Sequence, residues 1–485
     1  LDLNMCRCKI LWIGMSLLFM VAGSVNARSY YVSTEGNDKQ AGTLEAPFQT
    51  IHKACSLAQA GDTVVLRGGV YKVTEPVRPV HSGRSDAWIV YQSMPGEEAI
   101  IDGSLLKTVK QDKMEVPFSS KEEGVVQIEY VAYVKWIGIT VRNSYAAGFL
   151  LCGGDHHTFC ASRDSPTHHI ILEGCVSNRS YNSGIGLWYA DSIRVTRCRV
   201  TAANDLDYRT EGVRRPGEAP HEAISVCGSR YFEIDHNVVH DCFKEGIDCK
   251  EVSRYGKVHH NTVQRLPRQA YYVDAWFGLL EDIELYENVA IDCFWGFAIS
   301  VEGENSELRN IRFHHNVIAN MQASGFLFGM WGGNHLRSNI HIYNNTFYRC
   351  GSPHVYCGGV GSIDILSQNF KDVFIYRNIC DKGWDYEFGF NEKAGTIPNS
   401  LKEKNFVAKE NLVESVKNRQ SRPGQFNAVL VEYLPEGNHL GNVLYRDEKN
   451  YDLTPEKVPK VKDERVQWKY APSDWYGAIK PIEQY

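Results

Sequence analysis

Six asparagines recur in one phrase through the middle of this chain, and that recurrence constrains its fold more than any other feature. The phrase is an apolar residue, two variable residues and then asparagine. It occurs at Asn237, Asn261, Asn288, Asn316, Asn345 and Asn378, at spacings of 24, 27, 28, 29 and 33 residues. Self-similarity with a period in the twenties marks a solenoid, each repeat forming one coil. Val134 to Val141, Ile170 to Val176 and Ile193 to Val200 fit the same phrase, with Cys175 and Cys198 in the asparagine slot. Asparagine at a turn hydrogen-bonds backbone and tolerates left-handed geometry, so these residues are expected to be structural.

Between the asparagines lie four segments of a second pattern: Gly246 to Lys250, Ala270 to Trp276, Gly296 to Glu302 and Gly325 to Trp331. Side chains of a strand alternate between two faces. One face holds Ile247, Cys249, Tyr271, Val273, Phe297, Ile299, Val301, Phe326, Phe328 and Met330, the makings of a core. The other holds Asp248, Lys250, Tyr272, Asp274, Trp276, Ser300, Glu302 and Trp331, so chemistry is expected there. Stacked coils are about 4.8 Å apart. Aligning the glycine or alanine that opens each segment puts Asp274 in register with Lys250 and Ser300. Glu302 then lies one coil up and two residues along, a Cα separation of roughly 8 Å. Carboxyl groups roughly 5 to 9 Å apart span both geometries of glycosidic hydrolysis. Asp274 is the expected nucleophile or base and Glu302 the general acid. Trp188, Trp276 and Trp331 offer flat apolar faces to a sugar, and Asp248, Lys250, Tyr272 and Glu245 offer hydrogen bonds. The plain alternative is a solvated face on which Lys250 pairs with Asp248 or Asp274.

Two long polar insertions, Cys152 to His169 and Ala202 to Pro220, interrupt the repeat and could wall a cleft, with His156, His157 and His221 within reach. With 52 basic and 58 acidic side chains the net charge is −6, which leaves no footprint for nucleic acid or an anionic membrane surface. Residues 1–27 read as a targeting segment: Met5 as a start, Arg7 and Lys9, the apolar run Ile10 to Ala22, and the small-residue site Val25-Asn26-Ala27. A secreted or periplasmic protein without a membrane span is expected. Of the cysteines, Cys175, Cys198, Cys242, Cys249, Cys293 and Cys350 sit where buried thiols would pack, and only Cys152 and Cys160 are placed for a bridge.

The amino-terminal run Tyr30 to Asp38, then Gly42-Thr43, Ala46-Pro47-Phe48, a helical segment Ile51 to Ala60 and the strand after Gly61, resembles the cap of secreted right-handed parallel β-helix proteins that act on polysaccharides. That resemblance implies an all-β, right-handed parallel β-helix with a cap strand and helix in residues 28–124, coils carrying the site in 125–385 and a tail packing on the helix in 386–485, the repeat fading beyond about Asp381. Glu245 to Lys250, His259-His260-Asn261 and Tyr272 to Trp276 resemble the β-helical glycoside hydrolases that include the family 120 β-xylosidases. The resemblance implies an aspartate nucleophile at Asp274 and an acid/base glutamate one coil on. Ser300 occupies that slot, with Glu302 two residues further. The expected activity is therefore a glycoside hydrolase acting on a plant or algal polysaccharide or oligosaccharide, without cofactor or metal. A second resemblance, to the family 9 pectate lyases, implies a calcium-dependent lyase with Glu245 and Asp248 in a carboxylate cluster, although Tyr272 stands in that family's lysine slot and Lys250 lies on the carboxylate strand. A non-catalytic carbohydrate-binding solenoid is the third reading.

Overall fold

The computed structural model describes residues 27–106, 124–160, 163–205, 221–355, 360–390, 401, 403–414 and 438–457. The expected targeting segment up to Asn26 and most of the second insertion lie outside them. The described residues form three long parallel sheets of thirteen, thirteen and ten strands, with each strand between the ends of its sheet paired to its equivalents one coil before and after. This is a parallel β-helix. A typical coil runs from Arg254–His259 in the first sheet through Thr262–Gln264 in the second to Gln269–Ala275 in the third. Inward residues of all three sheets close one continuous core. No helix of the described residues is long and apolar enough to cross a membrane.

Strand Ser29–Val32 opens the first sheet by pairing with Thr63–Leu66. The helix after it spans Ile51–Leu57, shorter than the expected Ile51 to Ala60. Thr50 caps it by accepting from Lys53 N, and the chain leaves the helix at Ala58 because the Asp62 carboxylate takes the Gln59 amide at 2.8 Å. Ile51, Ala54 and Cys55 of this helix are buried at the end of the core, where an open sheet would otherwise expose strand edge.

The asparagines stack into a ladder at the bend between the first and second sheets. Asn261 Nδ2 donates to Asn288 Oδ1 at 3.0 Å and Asn288 Nδ2 to Asn316 Oδ1 at 3.1 Å. The same oxygens accept the backbone amides of Asn261 and Asn288. Cys198 joins through its amide to Asn237 Oδ1, as its place in the repeat implies. The left-handed residue is not the asparagine but the one before it: His236, His260, Glu287, His315, Asn344 and Arg377 all have φ between 54° and 57°. The ladder also continues through Asn411 and Asn438, so the coils extend past Asp381, where the sequence reading has the repeat fade. No bridge joins Cys152 to Cys160.

Candidate active site

The site grows from the register of the third sheet. Strand Ile247–Glu251 pairs with Gln269–Ala275, placing Asp248 beside Tyr272 and Lys250 beside Asp274. The next strand, Trp295–Val301, puts Ser300 beside Asp274. These are the pairs that alignment of the opening glycines and alanine predicts. Asp248, Asp274 and Glu302 thus form a diagonal, each one coil on and two residues along from the last, at a Cα spacing of roughly 8 Å.

Glu302 follows the last residue of its strand, yet its position is set firmly. Its amide donates to Ala275 O at 3.0 Å, tying it to the neighbour of Asp274. Tyr272 Oη donates to its carboxylate, and Ser300 Oγ donates to the same Oε1 at 2.7 Å. Gly332, at φ 57°, packs on the Glu302 backbone so closely that a Cβ would lie 2.6 Å from Glu302 Cα. Behind the acid, the fully buried Arg337 donates to Ser367 Oγ and Gly329 O. Burial pulls this guanidinium down to about 10, with Tyr272 and Glu302 pulling the other way.

Asp274 is 5% exposed. Trp276 Nε1 donates to its Oδ2 at 2.7 Å, while the buried Oδ1 has no hydrogen-bond partner. Burial, and then the negative charge of Glu302, push its carboxyl well above the ordinary range. Asp248 is raised likewise by burial and by Asp274, and its Oδ1 also lacks a partner. The expected polar face is therefore not a solvated one. Met330, expected in the core, is 41% exposed, because its strand stops at Phe328 before the alternation reaches it.

Lys250 pairs with neither aspartate. Its ammonium lies 3.0 Å from Glu222 Oε2, and Glu222 also takes Lys244 at 3.1 Å and Ser225 Oγ at 2.7 Å. Burial would raise Glu222, but Lys250 and Lys244 override it and hold the carboxyl far below its usual range. Burial likewise opposes charge on Lys250, and Glu222 overrides that too, so the ammonium is held protonated. Glu245 pairs with Arg268 at 2.8 Å and with Lys244 at 3.5 Å, at the entrance of the strand rather than on its polar face. Sequence reasoning missed Glu222. Its signal is the repetition of Glu245-Gly246-Ile247 one coil earlier as Glu222-Ala223-Ile224.

The three expected tryptophan platforms separate. Trp331 lies beyond its strand, edge-on to Tyr272 and to Trp295. Trp276 is half-buried beside Asp274. Trp188 shares the row of Lys250 and Asp274 but is buried, with His221 packed on it at 4.5 Å, so it presents no open face. The first insertion does reach the site: His156 stacks on Phe277 at 4.0 Å, next to Trp276. It also helps line a cavity of about 790 Å³ over the earlier coils, with Arg78, Phe159, Tyr189 and Arg230.

Glu222, Glu245 and Asp248 supply the oxygen atoms a calcium ion prefers, but the residues present do not fit one. Two lysines and an arginine already pair with Glu222 and Glu245, and Lys244 stands between those two carboxylates.

A Pel9A-like right handed beta helix region matches residues 30–212, and a right handed beta helix region matches residues 124–339. Pectate lyase PEL9 of Emericella nidulans is 26% identical over 245 residues, covering 42% of this chain and 58% of that protein, so the match spans less than two thirds of the relative. The Bacillus subtilis protein YwoF is 25% identical over 400 residues, covering 76% of this chain and 78% of its own. Among solved structures, the GH136 lacto-N-biosidase from Eubacterium ramulus superposes with a TM-score of 0.50 at 12% identity, over 79% of this chain and 67% of that one, a likeness of fold alone. The chain is a right-handed parallel β-helix protein, related in sequence to a carbohydrate-active enzyme of that fold.

Proposed function

We propose that the protein is a glycoside hydrolase that cleaves a polysaccharide or oligosaccharide with Asp274 and Glu302, after export from the cytoplasm. The observation that carries this reading is the asymmetry of the pair. Trp276 occupies Asp274 Oδ2, which leaves Oδ1 to hold the proton that burial and the Glu302 charge retain there. Glu302 instead receives two donated hydrogen bonds. The two acids thus sit in unlike surroundings, one buried with a free oxygen and the other held by two hydroxyl donors. Asp274 then protonates the glycosidic oxygen as its bond to the anomeric carbon breaks, and Glu302 either attacks that carbon or deprotonates the attacking water. This exchanges the roles expected from sequence resemblance. Tyr272, Ser300 and Arg337 position Glu302, and the exposed faces of Trp276 and Trp331 lie beside the pair.

The lyase reading draws on the pectate lyase relative, but two features speak against it. Lys250 is held as a cation by Glu222 and so is a poor base for proton abstraction, and the carboxylate cluster carries its own cations. The test incubates the protein with neutral and acidic polysaccharides, with calcium or chelator, following reducing ends and the absorbance of unsaturated uronides. Reducing ends without absorbance, insensitive to chelator, are expected. Asp274→Asn and Glu302→Gln should each lose about 10²- to 10⁴-fold in turnover while melting normally. Chelator-sensitive absorbance, or full activity in both variants, overturns the reading.

A further inference from the structure

We propose that the Lys244 ammonium is a built-in cation for the cluster Glu222, Glu245 and Asp248, standing where a divalent metal would otherwise be needed, so that the cluster is assembled without calcium. Lys244 lies on the turn entering strand Ile247–Glu251. Its Nζ is 3.1 Å from Glu222 Oε1 and 3.5 Å from Glu245 Oε2. Burial opposes the charge, but Glu222 and Glu245 prevail and the lysine is held protonated. A lysine ammonium is a compact point charge, so of the cationic side chains it comes nearest to a bare ion.

The charge balance points the same way. The carboxylates of Glu222 and Glu245 face Lys244, Lys250 and Arg268, two against three, with Asp248 buried and without an ion pair. A divalent ion entering that balance would add two uncompensated charges. Replacing Lys244 with aspartate shifts the balance by two in the other direction, to three carboxylates against two cations with Asp248 beside them, a net negative cluster that favours a divalent cation. Ligand atoms are at hand, because Asp248 Oδ1 and Glu245 Oε2 are buried and accept no hydrogen bond. Calcium takes six to eight oxygens at about 2.3–2.6 Å, and three or four carboxylates with water can supply them.

The test uses the full chain after treatment with chelator and reads calcium uptake calorimetrically, together with the melting temperature in calcium and in chelator. The native protein should take up no calcium at this cluster and melt identically in both. Lys244→Asp should bind one calcium ion and melt roughly 3 °C higher with calcium at about a hundredfold its Kd. Adding Glu222→Gln to that variant should abolish the response. Lys244→Gln, which removes one charge at nearly constant size, should respond more weakly and serves if the aspartate variant does not fold. Calcium uptake by the native chain that Glu222→Gln or Asp248→Asn removes would overturn the proposal, as would folded Lys244 variants indifferent to calcium. None of these readouts is turnover, so the proposal and the hydrolase reading fail separately.

Discussion

Asp364 shows what burial alone does to a carboxyl group in this fold. It sits on the same outward row as Asp248 and Tyr272, further along the helix. It accepts from Ser324 Oγ and Tyr386 Oη, both at 2.6 Å, and from the Gly361 amide. Those bonds favour the ionised form, yet burial outweighs them and pushes the group up to about 6. An unfolded aspartate titrates near 3.8. Between about pH 4 and 6 the unfolded chain has released a proton that the folded chain keeps, so stability falls as pH rises through that window and levels off above it. The total is about 3 kcal/mol. Asp364→Asn does not titrate, so its unfolding free energy from urea titration should gain on the native one by that amount from about pH 4 to 6 and run parallel above; a gap independent of pH would disprove the account. Residues of this kind differ in how well the sequence exposes them. Asp274 and Glu302 were legible because the small residue opening each strand sets the register. Glu222 was not, because it enters its strand directly after the long insertion, and its two lysines are paired across coils rather than along the chain.

At the scale of elements, each bend between the first and second sheets sets a left-handed residue against a ladder bond. Holding a residue such as His260 or Glu287 at φ near 55° costs roughly 1–2 kcal/mol. The asparagine that follows offsets it by satisfying backbone groups that a buried bend would otherwise strand. The phrase ending in asparagine was therefore readable as structure, but the assignment of left-handed geometry to the asparagine itself was not, because only the neighbour's φ needs it. Asn288→Ala removes the acceptor of the Asn261 amide and side chain and the donor to Val258 O, all buried. Leaving such groups unsatisfied should cost roughly 2–4 kcal/mol. Asn438, half-buried on the last described rung of the ladder, makes similar bonds to Asn411 and Ala408. Water can replace them there, so Asn438→Ala should cost less than about 1 kcal/mol. Equal losses for the two in urea titration would mean that the ladder does not act through burial.

For the whole molecule, the second sheet changes character along its length. Its outward positions are mostly polar in the earlier coils, as at Arg199, Thr201, His240 and Gln264, and mostly apolar from Val289 and Ile291 onward through Val317, Ala319, Tyr348, Ile379 and Leu412, with Thr346 and Asp381 the polar exceptions. Strands such as Val289–Ile291 and Val317–Ala319 thus read as unbroken apolar runs, the mark of a sheet covered on both faces. The cover is the antiparallel hairpin Leu444–Asp447 with Asp452–Lys457, which seats Val443, Tyr445 and Leu453 on that surface. Glu448 fastens it, accepting from Tyr348 Oη at 2.7 Å and pairing with Lys382. Which sheet such a hairpin covers was not readable, because strands as short as three residues show no period. Leu453→Asp places a carboxylate in this dry interface, at a cost of about 3 kcal/mol or more. Since each coil of a solenoid rests on its neighbours, the helix should survive while the hairpin lifts away. A hydrophobic dye should then brighten on the uncovered face and trypsin should cut after Arg446 or Lys449, with the strand signal in circular dichroism unchanged. If dye and protease see no difference, the hairpin is not what keeps that face from water; if the strand signal collapses with it, the hairpin is part of the cooperative core rather than a cover.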